Sequence, residues 1–203
     1  MLVIDTKITP PSEEDVLRER SCGNTLVHRP ALVYRETGIP LELSGCEAAF
    51  VGSPRAVRAA KSALENFDGP VFAAGGGTAR SLLAFGIPVA FAGSGEGIEK
   101  DFEKFLKKRP CKSFAWISAR ETAADLKLLA QKFQISVRHF AVYETMPAPI
   151  DEKFFGELSH PVAWNFYSGK GVKTLARFVA RDDVVHLYGT SAQREFESAK
   201  LSP

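Results

Sequence analysis

The sequence is poor in everything that marks metal, disulfide or membrane chemistry. Among 203 residues there are three cysteines, Cys22, Cys46 and Cys111, an odd and scattered set with no CxxC. That speaks against a disulfide framework and against a zinc site. Four histidines (His28, His139, His160, His186) stand apart with no metal-ligand spacing, so ordinary structural roles are expected of them. No apolar run approaches the roughly 18 residues of a membrane span. The opening "MLVIDTKITPP" has three apolar residues and then an acid, which is not a signal peptide. Charge of one sign is lacking too: 26 Lys and Arg face 24 Asp and Glu, a net charge of +2. With no basic run beyond "KKRP" (107–110), a nucleic-acid partner is not expected. These absences predict a soluble, reduced, cytoplasmic protein without a metal site, working without a membrane or nucleic acid.

What is present is alternation. "AAFVG" (48–52), "VFAAG" (71–75), "IPVAFA" (87–92), "SFAWIS" (113–118), "VRHFAVYET" (137–145), "VAWNFYS" (162–168) and "VVHLYG" (184–189) read as buried strands. Between them, "RAVRAAKSALENF", "TARSLLAF", "GIEKDFEKFLKK", "RETAADLKLLAQKF" and "KGVKTLARFVA" carry apolar residues at helical spacing. Strand–helix alternation implies right-handed crossovers and mainly parallel sheet, so the fold class is α/β, doubly wound.

The pattern occurs twice. "FVGSPRAV" (50–57) matches "NFYSGKGV" (165–172), and "GGGTAR" (75–80) matches "YGTSAQ" (188–193). The two turns follow each other at 25 residues (Ser53 to Thr78) and at 23 (Ser168 to Ser191). Two related units are therefore expected. The proline-bearing "YETMPAPIDE" (143–152) reads as one linker, and the strand-like residues 26–45, with Pro30 and Pro40 at their bends, as another. Two linkers mean that the chain crosses twice, giving residues 35–145 as an inserted α/β domain and 1–34 plus 146–203 as a discontinuous one.

The glycine turn "AAGGGTAR" does not fit a dinucleotide fingerprint: Gly75, Gly77 and Arg80 give G-x-G-x-x-R, although Glu96 and Glu99 stand near the distance at which the ribose acid is found. A P-loop motif is missing altogether. Glycines that open a helix expose backbone N–H groups, and Thr78 adds a hydroxyl, which makes an anion cradle. Ser53 with Arg55, and Ser168 with Lys170, repeat the device with a cation. Each turn alone reads as a helix N-cap. Four together point to a ligand with several negative groups, held by Ser53, Arg55, Gly76, Gly77, Thr78, Ser168, Lys170, Gly171, Thr190 and Ser191. A basic residue at a helix start is electrostatically unfavourable, so finding one twice favours ligand binding.

Taken in order, "FVGSPRAVRAA", "FAAGGGTARSLLAFGIPV", "VYET", "FYSGKGVKTL" and "YGTSAQ" resemble the uroporphyrinogen-III synthase family over about residues 30–193. The resemblance implies two α/β domains joined by a two-stranded linker, with the active site in the cleft between them. It implies hydroxymethylbilane as substrate and uroporphyrinogen III as product, formed by loss of water, inversion of ring D through a spiro intermediate, and closure of the macrocycle. It also implies a monomer that needs no cofactor, and it points to Tyr143, at the end of "FAVY", as the catalytic residue. Tyr143 can equally be a rim tyrosine that packs its ring. The sequence departs from the family at Ser118–Ala119, where Arg-Gly is frequent, and at Ser191, where Thr is usual. With "SEEDVLRERS" leaving room for only a short first helix and the sequence running to Pro203, a trimmed second domain is expected. A catalytically weak relative that binds tetrapyrroles or other polycarboxylates, and a small nucleotide-binding α/β protein, are the alternative readings.

Overall fold

The computed structural model describes residues 1–94, 97–122 and 126–200. The chain divides into two compact units, Met1–Tyr34 with Met146–Pro203, and Arg35–Thr145. In chain order the first elements are β1 (Leu2–Asp5), α1 (Glu13–Ser21), β2 (Thr25–His28) and β3 (Leu32–Glu36). Then come β4 (Ala48–Val51), α2 (Pro54–Glu65), β5 (Val71–Ala73), α3 (Gly76–Ala84), β6 (Phe91–Ala92), α4 (Ile98–Lys108), β7 (Ser113–Ala119), α5 (Leu126–Lys132) and β8 (Ser136–Pro147). The chain continues as α6 (Glu152–Gly156), β9 (Ala163–Phe166), α7 (Gly169–Leu175), β10 (Val184–Leu187) and α8 (Thr190–Lys200).

The larger unit is built on a six-stranded sheet of order β3-β8-β7-β4-β5-β6. Its inner strands read as continuous apolar runs because both faces are covered, as parallel sheets require. One face is aliphatic: Ala49, Val51, Val71, Ala73, Ala115 and Ile117 pack with Ala56, Val57, Ala60 and Leu64 of α2 and Leu82 of α3. The other is aromatic: Phe50, Phe72, Phe114 and Trp116 meet Phe102 and Phe105 of α4 and Leu126 of α5. Each Val, Leu, Ile or Phe among them contributes about 1.5–3 kcal/mol on burial. At the sheet edge, Thr37 N–H bonds Val142 O and Ala148 N–H bonds Ala31 O, so β3 runs antiparallel to β8 while carrying the chain from one unit to the other.

The smaller unit holds a four-stranded parallel sheet, β10-β9-β1-β2. Ile4, Trp164 and Phe166 point to one face and pack under α6, α7 and α8. The alternate residues Asp5 and Asn165 take the other face, toward α1, no residue of which is buried. α1 forms because Ser12 and Asp15 cap it reciprocally: Ser12 Oγ accepts from Asp15 N–H (3.2 Å) and Asp15 accepts from Ser12 N–H (3.1 Å).

The architecture is the expected α/β type, with three differences in its elements. β1, absent from the sequence-based strands, is a central strand. Of "IPVAFA" (87–92) only Phe91–Ala92 pairs. As read from the sequence, residues 26–45 are strand-like: they contain the end of β2 and all of β3, within which the chain passes from one unit to the other. The second hydroxyl turn leads into an eleven-residue helix, α8. Of the two acids near the ribose-binding distance, Glu96 lies outside the described residues and Glu99 is exposed in the first turn of α4.

Candidate functional site

β4 delivers the chain to Ser53 through Gly52, which passes β7 so closely that a Cβ there would lie 3.1 Å from Ser118 Cβ. Ser53 is the N-cap of α2: its Oγ accepts from Ala56 N–H at 3.2 Å, and Pro54 takes the first helical position, where a missing N–H costs nothing. The same Oγ stands 3.0 Å from the Tyr143 hydroxyl. Tyr143 comes from β8, where the pairing with β7 slips at Ser118/Ala119 and Arg120 N–H bonds Tyr143 O at 2.8 Å. A bulge of this kind re-aims a side chain. The Tyr143 ring packs on the aliphatic core while its hydroxyl reaches Ser53. The next residue, Glu144, is held by Arg120 at 2.6 Å and by Arg35 Nε at 2.8 Å.

Beside this turn lies the start of α3. Gly75 is its N-cap, in extended conformation, and no side chain caps it. The first backbone N–H groups of the helix, at Gly76, Gly77 and Thr78, therefore retain the donor capacity that a helix start leaves unused. The site of a Gly77 Cβ is 3.9 Å from Pro54, so the α2 and α3 starts are neighbours. Arg80 Nη1 lies 3.7 Å from the site of a Gly76 Cβ. The sequence reading passed over Arg80, although four residues along a helix returns to the same face. Thr78 is buried, with 4% of its surface exposed.

The smaller unit repeats the construction. Ser168 caps α7, its Oγ accepting from Gly171 N–H at 3.1 Å. Gly169 N–H donates to Ser191 Oγ at 3.4 Å, and a Cβ on Gly169 would sit 2.8 Å from Ser191 O. The starts of α7 and α8 thus touch, with Thr190 and Ser191 exposed and Lys170 half-buried. The structure gathers Ser53, Arg55, Gly76, Gly77, Thr78 and Tyr143 within the larger unit, and Ser168, Lys170, Gly171, Thr190 and Ser191 within the smaller. Both serines do serve as N-caps. Capping alone does not account for the Ser53–Tyr143 contact.

One group of residues escaped the sequence reading. Asp5 ends β1, in register with Asn165 on one side and His28 on the other. It is 2% exposed, and among the described residues neither carboxylate oxygen has a hydrogen-bond partner. It lines a cavity of about 220 Å³ with Lys7, Asn165, Tyr167 and Tyr188. The two tyrosine rings stack at 4.8 Å and 9°, and Lys7 Nζ lies 5.7 Å from the Tyr167 ring centre. Burial, and after it the nearby Asp5, push the Tyr167 phenol above its ordinary pKa, although its hydroxyl does not reach hydrogen-bond geometry with Asp5. The only sequence signal was the acid closing "LVID".

Among the described residues no cluster of three or more His, Cys, Asp or Glu could hold a metal ion, and no helix is long and apolar enough to cross a membrane. No curated protein matches the sequence significantly. Among solved structures, a uroporphyrinogen-III synthetase from Helicobacter pylori matches with a TM-score of 0.72 at 14% identity, covering 98% of this chain and 89% of that one. A mutant uroporphyrinogen III synthase from Thermus thermophilus matches with a TM-score of 0.59 at 15% identity, covering 100% and 90%. At such identities these likenesses show the fold. The family model described as uroporphyrinogen-III synthase HemD matches residues 25–200, and the chain therefore belongs to the uroporphyrinogen-III synthase family.

Proposed function

We propose that this chain acts as a hydro-lyase on hydroxymethylbilane, with Tyr143 assisting departure of the hydroxyl group. The observation that supports this is the 3.0 Å contact between the Tyr143 and Ser53 hydroxyls. Ser53 Oγ accepts the Ala56 N–H and so has its own proton to give. If it gives that proton to the Tyr143 oxygen, the phenol proton is turned outward. The resulting relay, backbone N–H to serine to tyrosine to leaving group, polarises each successive bond. A phenol keeps its proton at neutral pH, which suits a group that must donate. As the C–O bond breaks, the hydroxyl takes the proton and leaves as water. The proton lost by the terminal pyrrole on ring closure restores the phenol.

The helix starts are the proposed holders of the substrate's carboxylates: Gly76, Gly77 and Thr78 with Arg55 and Arg80 in one unit, Ser168, Lys170, Gly171, Thr190 and Ser191 in the other. Each charge-assisted hydrogen bond contributes about 1.5–3 kcal/mol. The decisive experiment is incubation with freshly generated hydroxymethylbilane and resolution of isomers I and III. The parent is expected to yield isomer III. Tyr143→Phe is expected to slow turnover at least about tenfold and to raise the share of isomer I as uncatalysed closure takes over. Ser53→Ala is expected to weaken the same step. A Tyr143→Phe variant that matches the parent in rate and isomer would reduce Tyr143 to a packing residue.

A further inference from the structure

We propose that Asp5 accepts a pyrrole N–H of the open-chain substrate, in a pocket that admits a single ring. This rests on the tetrapyrrole reading above; Asp5 itself lies before residues 25–200, which the family model matches. A carboxylate with 2% exposure and no hydrogen-bond partner is costly to keep in a folded protein. The complement of such an acceptor is an N–H donor. The pocket lies at the carboxyl ends of β1 and β9, the edge at which open α/β sheets take ligands. Tyr167 and Tyr188 each stand immediately before one of the hydroxyl turns of this unit, so the pocket adjoins both.

Three features select a pyrrole. The stacked tyrosines offer a flat wall to a flat ring. Lys7, beside Tyr167, supplies a cation for a carboxylate arm of the ring, and Glu19 and the Arg18–Asp15 pair complete the lining. The volume, about 220 Å³, suits one substituted ring and excludes a macrocycle. A consequence follows from geometry. In an open chain a terminal pyrrole presents its N–H outward, whereas in the closed porphyrinogen all N–H groups point to the ring centre. Asp5 therefore binds substrate and loses its grip on product, so that cyclisation itself releases the ring.

The test is Asp5→Asn. The KM for hydroxymethylbilane is expected to rise about tenfold or more, with kcat changed much less, affinity for uroporphyrin III unchanged and the melting temperature raised. A second measurement needs no turnover: titration of the parent with a dipyrromethane dicarboxylate, followed by tyrosine fluorescence. It should bind the parent, more weakly Asp5→Asn and Tyr188→Ala, and resist competition by methylammonium. Tyr188 is half exposed, so its truncation leaves the fold intact. An unchanged KM, a lowered melting temperature in Asp5→Asn, or methylammonium competing as well as the dipyrromethane would each overturn the proposal. Asp5-dependent dipyrromethane binding in a parent that never forms isomer III would overturn the synthase reading and leave this one standing.

Discussion

Asp183 precedes β10 and uses both carboxylate oxygens. Oδ1 accepts from Val162 N–H at 2.9 Å and His160 Nδ1 at 2.7 Å; Oδ2 accepts from Trp164 Nε1–H and Ala180 N–H, both at 2.8 Å. Burial alone would raise its pKa, but these four donors outweigh it and hold the carboxyl below its ordinary value. The sign follows. Because the folded pKa lies below the unfolded one, the stabilisation is present above the unfolded value near 3.8 and is lost as pH falls through the folded value. Asp183→Ala is expected to cost about 2–4 kcal/mol at pH 7, since buried donors lose their acceptor. In denaturant titrations the deficit should shrink as pH drops below about 4. A deficit that grows on acidification would contradict this. Cys111 illustrates the opposite shift: burial, with the Glu47 charge behind it, pushes its thiol up to about 11. Only thiolate reacts, so at pH 8 iodoacetamide should label the exposed Cys22 at least about tenfold faster than Cys111, as peptide mass spectrometry would record.

Among the elements, α7 and α8 depend on one glycine. Alanine at Gly169 would press a methyl to 2.8 Å from Ser191 O, so the two helix starts must part. The expected cost is about 1–3 kcal/mol, with loss of affinity for uroporphyrin III; a variant of parental stability and affinity would show that the approach of the helices is unimportant. The element scale also shows what the sequence could reveal. β4, β5, β7 and β9 stand out because a strand buried on both faces is a solid apolar run. β1 does not, because its apolar residues Leu2–Ile4 are closed at once by Asp5, an acid that breaks the run. β6 shrinks to two residues because backbone pairing with β5 is limited to Phe72–Phe91 and Ala73–Ala92. The helix-capping turns were legible from Ser, Gly and Thr at strand ends. The approach of Tyr143 to Ser53 was not, since it spans 90 residues and depends on a register slip that no local pattern encodes.

At the scale of the molecule, each of the two units carries one buried tryptophan. Trp164 lies in the smaller unit, against Phe166 and Asp183. Trp116 lies in the larger, stacked on His139 at 4.0 Å. Asp183→Ala is therefore expected to lower the midpoint of one unfolding step and not the other, measured by calorimetry with Trp164→Phe and Trp116→Phe variants reporting each unit by fluorescence. A single transition that moves as a whole would refute the independence of the two cores. The sheet order of the smaller unit carries one more consequence, for synthesis. β1 pairs with β9 at Val3–Ala163, so a strand made first must wait for a partner 160 residues later. At the usual pace of about 5–20 residues per second that is a delay of about 8–30 s. Residues 35–145 leave the ribosome within it and can complete their own sheet. During that interval one edge of β1 is unpaired, and the first unit to begin is the last to be finished.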